Sequence, residues 1–155
     1  MTHKEPKLTA KIALYQPDIP QNTASIIRTC SCLGITLEII EPCGFLFSDK
    51  RFKRVVMDYD NRNIFFYKSS QEFFLKKKNS RIILMTTKSK KSYTKFKFKK
   101  NDTILFGRES LGVPANIHKM VNHRLVIPML KKKRSLNLSS SVSIVLSKIL
   151  VQNKL

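Results

Sequence analysis

Six short apolar runs punctuate the chain: KIALY (11–15), LEII (37–40), IFFY (64–67), RIILM (81–85), TILF (103–106) and LVIP (125–128). Each is rich in β-branched or aromatic residues and too short for a helix, so each predicts a strand covered on both faces. Between the first two, Ile26, Cys30 and Leu33 stand at i, i+4 and i+7. That spacing predicts a helix over 22–33, with Asn22 or Thr23 as its N-cap and Gly34 as its stop. Strand, helix, strand in this order predicts an α/β fold, a mostly parallel sheet with helices on both faces. A second helix is written near the C-terminus, where Leu138, Val142, Val145, Leu146 and Ile149 make one apolar stripe. Ser139, Ser140, Ser143 and Ser147 occupy its other faces, and side chains this small suit close packing against another backbone. The stretch KSKKSYTKFKFKK (88–100) carries seven lysines interleaved with Tyr93, Phe96 and Phe98. It reads first as an amphipathic edge strand whose lysines blunt the edge. The alternative is a surface that binds phosphates and stacks on bases.

Composition narrows the class. A chain of 155 residues, 42% apolar, fits one domain and buries a proper core. No apolar run approaches the roughly 18 residues that span a bilayer, and MTHKEPKLTAK lacks the apolar centre of a signal peptide. Cys30, Cys32 and Cys43 form no CxxC pair, which suits core thiols in a reducing cytoplasm better than disulfides or zinc; no metal is expected. Charge changes the picture most. Thirty Lys and Arg against ten Asp and Glu give a formal +20, a field that attracts a polyanion in a salt-dependent way. Lysine outnumbers arginine 22 to 8, so part of that charge also reads as a solvated surface of A/T-rich coding.

In parallel α/β folds, ligands bind where loops leave the carboxyl ends of strands. Three such loops carry chemistry-bearing residues. PDIPQNTAS (17–25) leads into Arg28, which lies about 200° around the helix from Ile26 and from Cys30. FGRESLGVP (106–114) holds two of the four glycines, and Pro114 suits the first position of a following helix. The third loop follows IPM (127–129) with the basic run 131–134, then SLNLS (135–139).

The order and wording of these loops, as IPQNTASIIRTC, LFGRESLGVP and LVIPMLKKKRSLNLSSSVSIVL, resemble the SPOUT-class RNA ribose 2′-O-methyltransferases. IIEPCGF (39–45) and DKRFKRVVMDYD (49–60) resemble the small, single-domain type acting on the tRNA wobble position. The resemblance spans about residues 11 to 150. It implies a single domain over 1–155 with a deep trefoil knot over roughly 81–150, a topology that fold rules alone do not supply. It also implies S-adenosylmethionine as cofactor, against Met85, Gly107, Ile127, Ser135, Leu136 and Leu138, with Gly107 leaving the cofactor room. The implied reaction moves a methyl group to the 2′-hydroxyl of the first anticodon nucleotide, a cytidine or modified uridine of tRNA-Leu isoacceptors. Arg28 is the implied catalytic residue. A guanidinium stays protonated, so it would stabilise the developing alkoxide and grip a phosphate rather than act as base. Asn22 would orient Arg28, and Glu109, Asn137 and Ser139 complete the polar set. Lys50, Arg51, Arg54, Lys131, Lys132, Lys133 and Arg134 are the implied RNA contacts. The implied assembly is a cytoplasmic homodimer holding the anticodon stem-loop of tRNA. Ala24, Ser25 and Arg108 depart from the family's usual Gly, Asn and Pro. Two alternatives stay open: another ribose of tRNA or ribosomal RNA as target, and a non-catalytic RNA-binding knot.

Overall fold

The structure, a computed structural model, describes residues 8–56 and 61–154. The end of DKRFKRVVMDYD (57–60) therefore lies outside the described residues, as does the Arg51 side chain. Strands β1 (Lys11–Tyr15), β2 (Thr36–Ile40), β3 (Ile64–Tyr67), β4 (Ile82–Met85), β5 (Thr103–Phe106) and β6 (His123–Leu125) form one sheet, ordered β3-β2-β1-β5-β4-β6. Every adjacent pair is parallel. Parallel strands need crossovers, supplied by helices α1 (Pro20–Leu33), α2 (Lys50–Val56), α3 (Ser70–Lys76) and α4 (Ala115–Met120), with α5 (Leu138–Gln152) at the end.

Strand alternation divides the core. Ile12, Leu14, Leu37 and Ile39 face Ile26, Ile27 and Cys30 of α1 and the α5 stripe of Val142, Val145, Leu146 and Ile149. Ala13, Tyr15, Ile40 and Leu84 face Phe73 of α3 and Ile117 of α4. Each such aliphatic side chain, fully buried, contributes about 1.5–3 kcal/mol. One charge interrupts the second face. Glu38 of β2 is 3% exposed, pairs with Lys77 at the end of α3 and accepts from the Tyr67 hydroxyl at 3.1 Å. Burial pushes the Lys77 ammonium below its usual range, while burial and the Glu38 charge push the Tyr67 phenol up.

The boundaries differ from the sequence expectation in physically instructive places. Pro20 takes an initial position of α1, and extended Ile19 is its N-cap without any side-chain bond, so Asn22 and Thr23 lie buried inside the helix and do not cap it. Gly34 does end it, at φ 65° with its N–H shared between the Cys30 and Ser31 carbonyls. Pro114 is the N-cap of α4, one position before the helix. Helix α3 begins at the N-cap Ser69, which accepts from Glu72 N at 3.1 Å, while the Glu72 side chain accepts from Lys68 N, one residue ahead of the cap, at 2.6 Å. The S-x-x-E pattern is legible in the sequence. Cys30 is a core residue and Cys43 is half-buried against the core, but Cys32 is exposed on the outer side of α1. Burial pushes the thiols of Cys30 and Cys43 up to about 12.

The lysine-rich stretch 88–100 is not an edge strand. Beyond β6, Val126 leaves the sheet and bridges to Ser92, donating to Lys91 O at 2.8 Å and accepting from Tyr93 N at 3.0 Å. This accounts for β6 ending at Leu125 rather than continuing to Pro128. Phe96 and Phe98 are both buried, their rings 4.9 Å apart, which removes them as stacking platforms. The end of α5 holds this stretch in place. Gln152 accepts from Phe98 N at 2.9 Å and donates to Phe96 O at 2.8 Å, and Lys148 donates to Thr94 O.

Candidate functional site

Because all six strands run the same way, their carboxyl ends share one edge of the sheet. The loops leaving β1, β4, β5 and β6 there enclose a cavity of about 610 Å³, within the ~300–1,000 Å³ typical of small-molecule sites. Met85, Gly107, Ile127, Ser135, Leu136 and Leu138 all line it. So do Asn22, Glu109 and Asn137. Its walls mix apolar side chains, among them Leu84, Met85, Val126, Ile127 and Leu138, with about as much polar surface, and Lys88, Arg108, Glu109 and His118 are its ionisable members. Burial first, then the nearby cations Lys88 and Arg124, lower the His118 pKa. Among the described residues no three His, Cys, Asp or Glu side chains cluster as a metal site.

A chain of directed hydrogen bonds joins the polar residues. Ser139 Oγ donates to Asn137 Oδ1 at 2.8 Å; Asn137 Nδ2 donates to Asn22 Oδ1 at 2.9 Å; Asn22 Nδ2 donates to Glu109 Oε1 at 3.4 Å. Each donor satisfies the next acceptor, and the series ends on a carboxylate, which fixes both amide orientations. Asn137 also caps α5, its Oδ1 accepting from Ser139 N at 2.9 Å and Ser140 N at 3.3 Å. Glu109 Oε2 accepts from Asp18 N at 2.7 Å, and Oε1 from Ile19 N at 3.4 Å. A carboxylate from a distant loop thus takes the orphan N–H groups ahead of α1, where no local side chain caps the helix.

Gly107 is required by its own loop, before any ligand is considered: a Cβ there would lie 2.6 Å from Gly112 Cα and 2.7 Å from Gly112 C. Residues 108 and 112 are tied as a tight bridge, Gly112 N to Arg108 O at 2.9 Å and Arg108 N to Gly112 O at 3.2 Å, with Gly112 at φ 66°. Arg108, where the family's usual residue is proline, is tied to Asp18. Its Nε donates to Asp18 Oδ1 at 3.0 Å and its Nη2 binds the same oxygen. Ser110 completes the shell around Asp18, its N and Oγ reaching Oδ2 at 3.1 and 2.5 Å. The Arg108 hydrogen bond, followed by those of Ser110, holds the Asp18 carboxyl below the usual carboxylate range despite some desolvation. Asp18 and Ser110 carried no role in the sequence reading; an acid between two prolines at a strand end was the available signal.

Arg28 stands apart from this set. It is exposed on α1 and does not line the cavity, six residues or about 9 Å along the helix from Asn22. The amide of Asn22 reaches Glu109 and Asn137, not Arg28. Lys131, Lys132, Lys133 and Arg134 are all exposed on the segment that leads into Ser135 of the cavity. Lys50 and Arg54 are exposed on α2.

A model of the SpoU rRNA Methylase family matches residues 9–147. A tRNA (cytidine(34)-2′-O)-methyltransferase from Beijerinckia indica is 42% identical over 146 residues, 91% of this chain and 90% of its own length. The protein of that name from Escherichia coli K12 is 38% identical over 137 residues, covering 86% and 87% of the two chains. A solved structure described as "Structural insights into the 2-OH methylation of C/U34 on tRNA" superimposes with a TM-score of 0.87 at 32% identity. It covers 94% of this chain and 96% of its own.

Proposed function

The chain belongs to the SpoU rRNA Methylase family, and from that premise we propose that it methylates the ribose 2′-hydroxyl of tRNA nucleotide 34, the wobble position, using S-adenosylmethionine. The observation that carries this reading is the convergence of three loops, far apart in sequence, on one cavity of about 610 Å³. Apolar walls at Leu84, Met85, Val126, Ile127 and Leu138, interleaved with polar side chains such as Ser135 and Asn137, suit an adenosine. Met85, Ile127, Leu136 and Leu138 would hold the cofactor's apolar surface, with Gly107 and Ser135 beside them. Bound there, S-adenosylmethionine would supply the electrophilic methyl carbon for the 2′-oxygen and a neutral thioether leaving group, with the hydroxyl proton passing to solvent.

The protein's contribution is alignment and charge. Holding two reactants in line supplies about 7–11 kcal/mol in well-oriented systems, and the Ser139–Asn137–Asn22–Glu109 series keeps the three loops in fixed register. Arg28 is assigned to the substrate side. On this reading Arg28, exposed on α1, would grip a phosphate bidentately and stabilise the developing alkoxide. Lys50, Arg51, Arg54 and residues 131–134 supply the cationic track for the anticodon stem-loop, with tRNA-Leu isoacceptors as the expected substrates. Exposed Ile19, Leu111 and Leu136 on the cavity lining fit a site covered by a second subunit, so the working unit is a homodimer. A cytoplasmic location and a trefoil knot through 81–150 belong to the same reading.

The test is to incubate purified protein with S-adenosylmethionine and total tRNA and to map ribose methylation. Methyl groups at position 34 of tRNA-Leu are expected. Methylation only elsewhere would refute the assignment, and absence of any thermal stabilisation by saturating cofactor would favour a non-catalytic RNA binder.

A further inference from the structure

We propose that Asp18 and Arg108 form a positioning latch that sets the width of the methyl donor's cavity. The role rests on the reaction proposed above. The two residues lie about 90 positions apart in sequence, on the loops that leave β1 and β5. Each loop lends its acid to the other. Asp18 accepts from the Arg108 guanidinium and from Ser110 N and Oγ, while Glu109 accepts from the backbone of Asp18 and Ile19. This reciprocal arrangement ties the two loops to each other, with the Arg108 cation seated on the Asp18 carboxylate. The Arg108 hydrogen bond is the largest influence lowering the Asp18 pKa, and Asp18 in turn raises that of Arg108.

The latch closes directly over the cavity. Arg108, Glu109, Ser110 and Gly112 are all wall residues, and the backbone of Arg108 is bridged to Gly112, so moving the guanidinium moves the wall. Asp18 is not itself a wall residue and acts through Arg108 and Ser110, which makes it a positioning residue rather than a catalytic one.

The experiment measures S-adenosylmethionine binding to the whole protein by calorimetry, without RNA, for Asp18→Asn, Arg108→Ala, Arg108→Lys and the Asp18→Asn/Arg108→Ala double variant. Each of Asp18→Asn and Arg108→Ala should weaken binding about tenfold, the low end of what a charge-assisted pair supplies. The double variant should be no weaker than either single one, because both remove the same interaction. Arg108→Lys should fall between, since lysine keeps the charge but not the forked geometry. In the ligand-free protein, the Ser110 amide should exchange its hydrogen faster in Asp18→Asn. Cofactor affinity within about twofold of the unaltered protein for Arg108→Ala, or additive losses in the double variant, would overturn the latch. So would a drop of about one in the salt slope of tRNA binding for Arg108→Ala, which would make it a phosphate contact. An unaltered protein that binds no cofactor would instead overturn the proposed reaction, and the latch's purpose with it.

Discussion

Gly107→Ala separates a loop requirement from a ligand requirement. The added Cβ would meet Gly112 Cα at 2.6 Å, Gly112 C at 2.7 Å and Val113 N at 3.1 Å, all backbone atoms that no side-chain rotation can clear. Comfortable carbon contact is about 3.5–4.0 Å, so the two sides of the loop must part by roughly 1 Å. Parting them strains the paired bonds between Arg108 and Gly112, at 2.9 and 3.2 Å, each worth about 0.5–1.5 kcal/mol net. With overpacking at about 1–3 kcal/mol, the expected loss is about 2–4 kcal/mol. For a chain of this size that lowers Tm by about 5–15 °C. Gly112→Ala is the control. Its φ of 66° is unfavourable for alanine, but nothing lies within 4 Å of the added carbon, so only the left-handed strain of about 1–2 kcal/mol applies. Scanning calorimetry of both ligand-free variants decides the matter. A Gly107→Ala protein melting within about 2 °C of the parent, yet unable to bind cofactor, would refute the loop argument and restore the view that this glycine makes room for a ligand.

Asn137→Ala removes the α5 cap and strands Asn22 Oδ1; it should cost about 2 kcal/mol. Asn137→Ser, which keeps a cap acceptor but not the donor to Asn22, should recover roughly half of that by thermal unfolding. Burial lowers the pKa of both His118 and His123. The unfolded chain therefore binds more protons below the ordinary histidine value of 6.5, and stability should fall as pH drops through that window. A double His118→Asn/His123→Asn variant should flatten the decline in Tm, and an unchanged decline would exclude these groups as its source. Replacing Lys131, Lys132, Lys133 and Arg134 together by alanine should reduce the slope of log affinity against log salt for tRNA by about 0.7–0.9 per lost phosphate contact, measured by filter binding.

Much of the fold is written locally. KIALY, IFFY and TILF became β1, β3 and β5 at their expected bounds, but only β1 and β5 are covered on both faces: β3 is an edge strand with Phe65 and Phe66 exposed. The stripe of α5 is buried residue for residue. What failed to show was each feature decided by a partner distant in sequence. Asn22 looks like a cap until Glu109 is seen taking the N–H groups ahead of the helix. KFKFK alternates like an edge strand, but Gln152 binds its backbone and Lys148 that of Thr94 just before it. At the candidate site, Glu109, Asn137 and the cofactor-lining positions came from the family resemblance. Asp18 was legible to neither route, since its meaning depends on an arginine about 90 residues away.

Strand β2 illustrates how a single charge can choose between two faces. Its sequence, TLEII, would offer an apolar surface to either layer of the sandwich. Parallel pairing with Ala13 of β1 and Phe65 of β3 sets Glu38 beneath α3, where Lys77 and Tyr67 wait for it. Slipping the strand by one residue would turn Glu38 toward α1, whose inward side offers Ile26, Ile27 and Cys30 and no cation. An uncompensated buried charge costs roughly 3–5 kcal/mol, comparable to much of a domain's net stability. The ion pair thus acts less as a bond that strengthens the native state than as a penalty on its nearest misalignment. By holding β2 in step it also holds β1, and with β1 the loop from which Asp18 and Asn22 project.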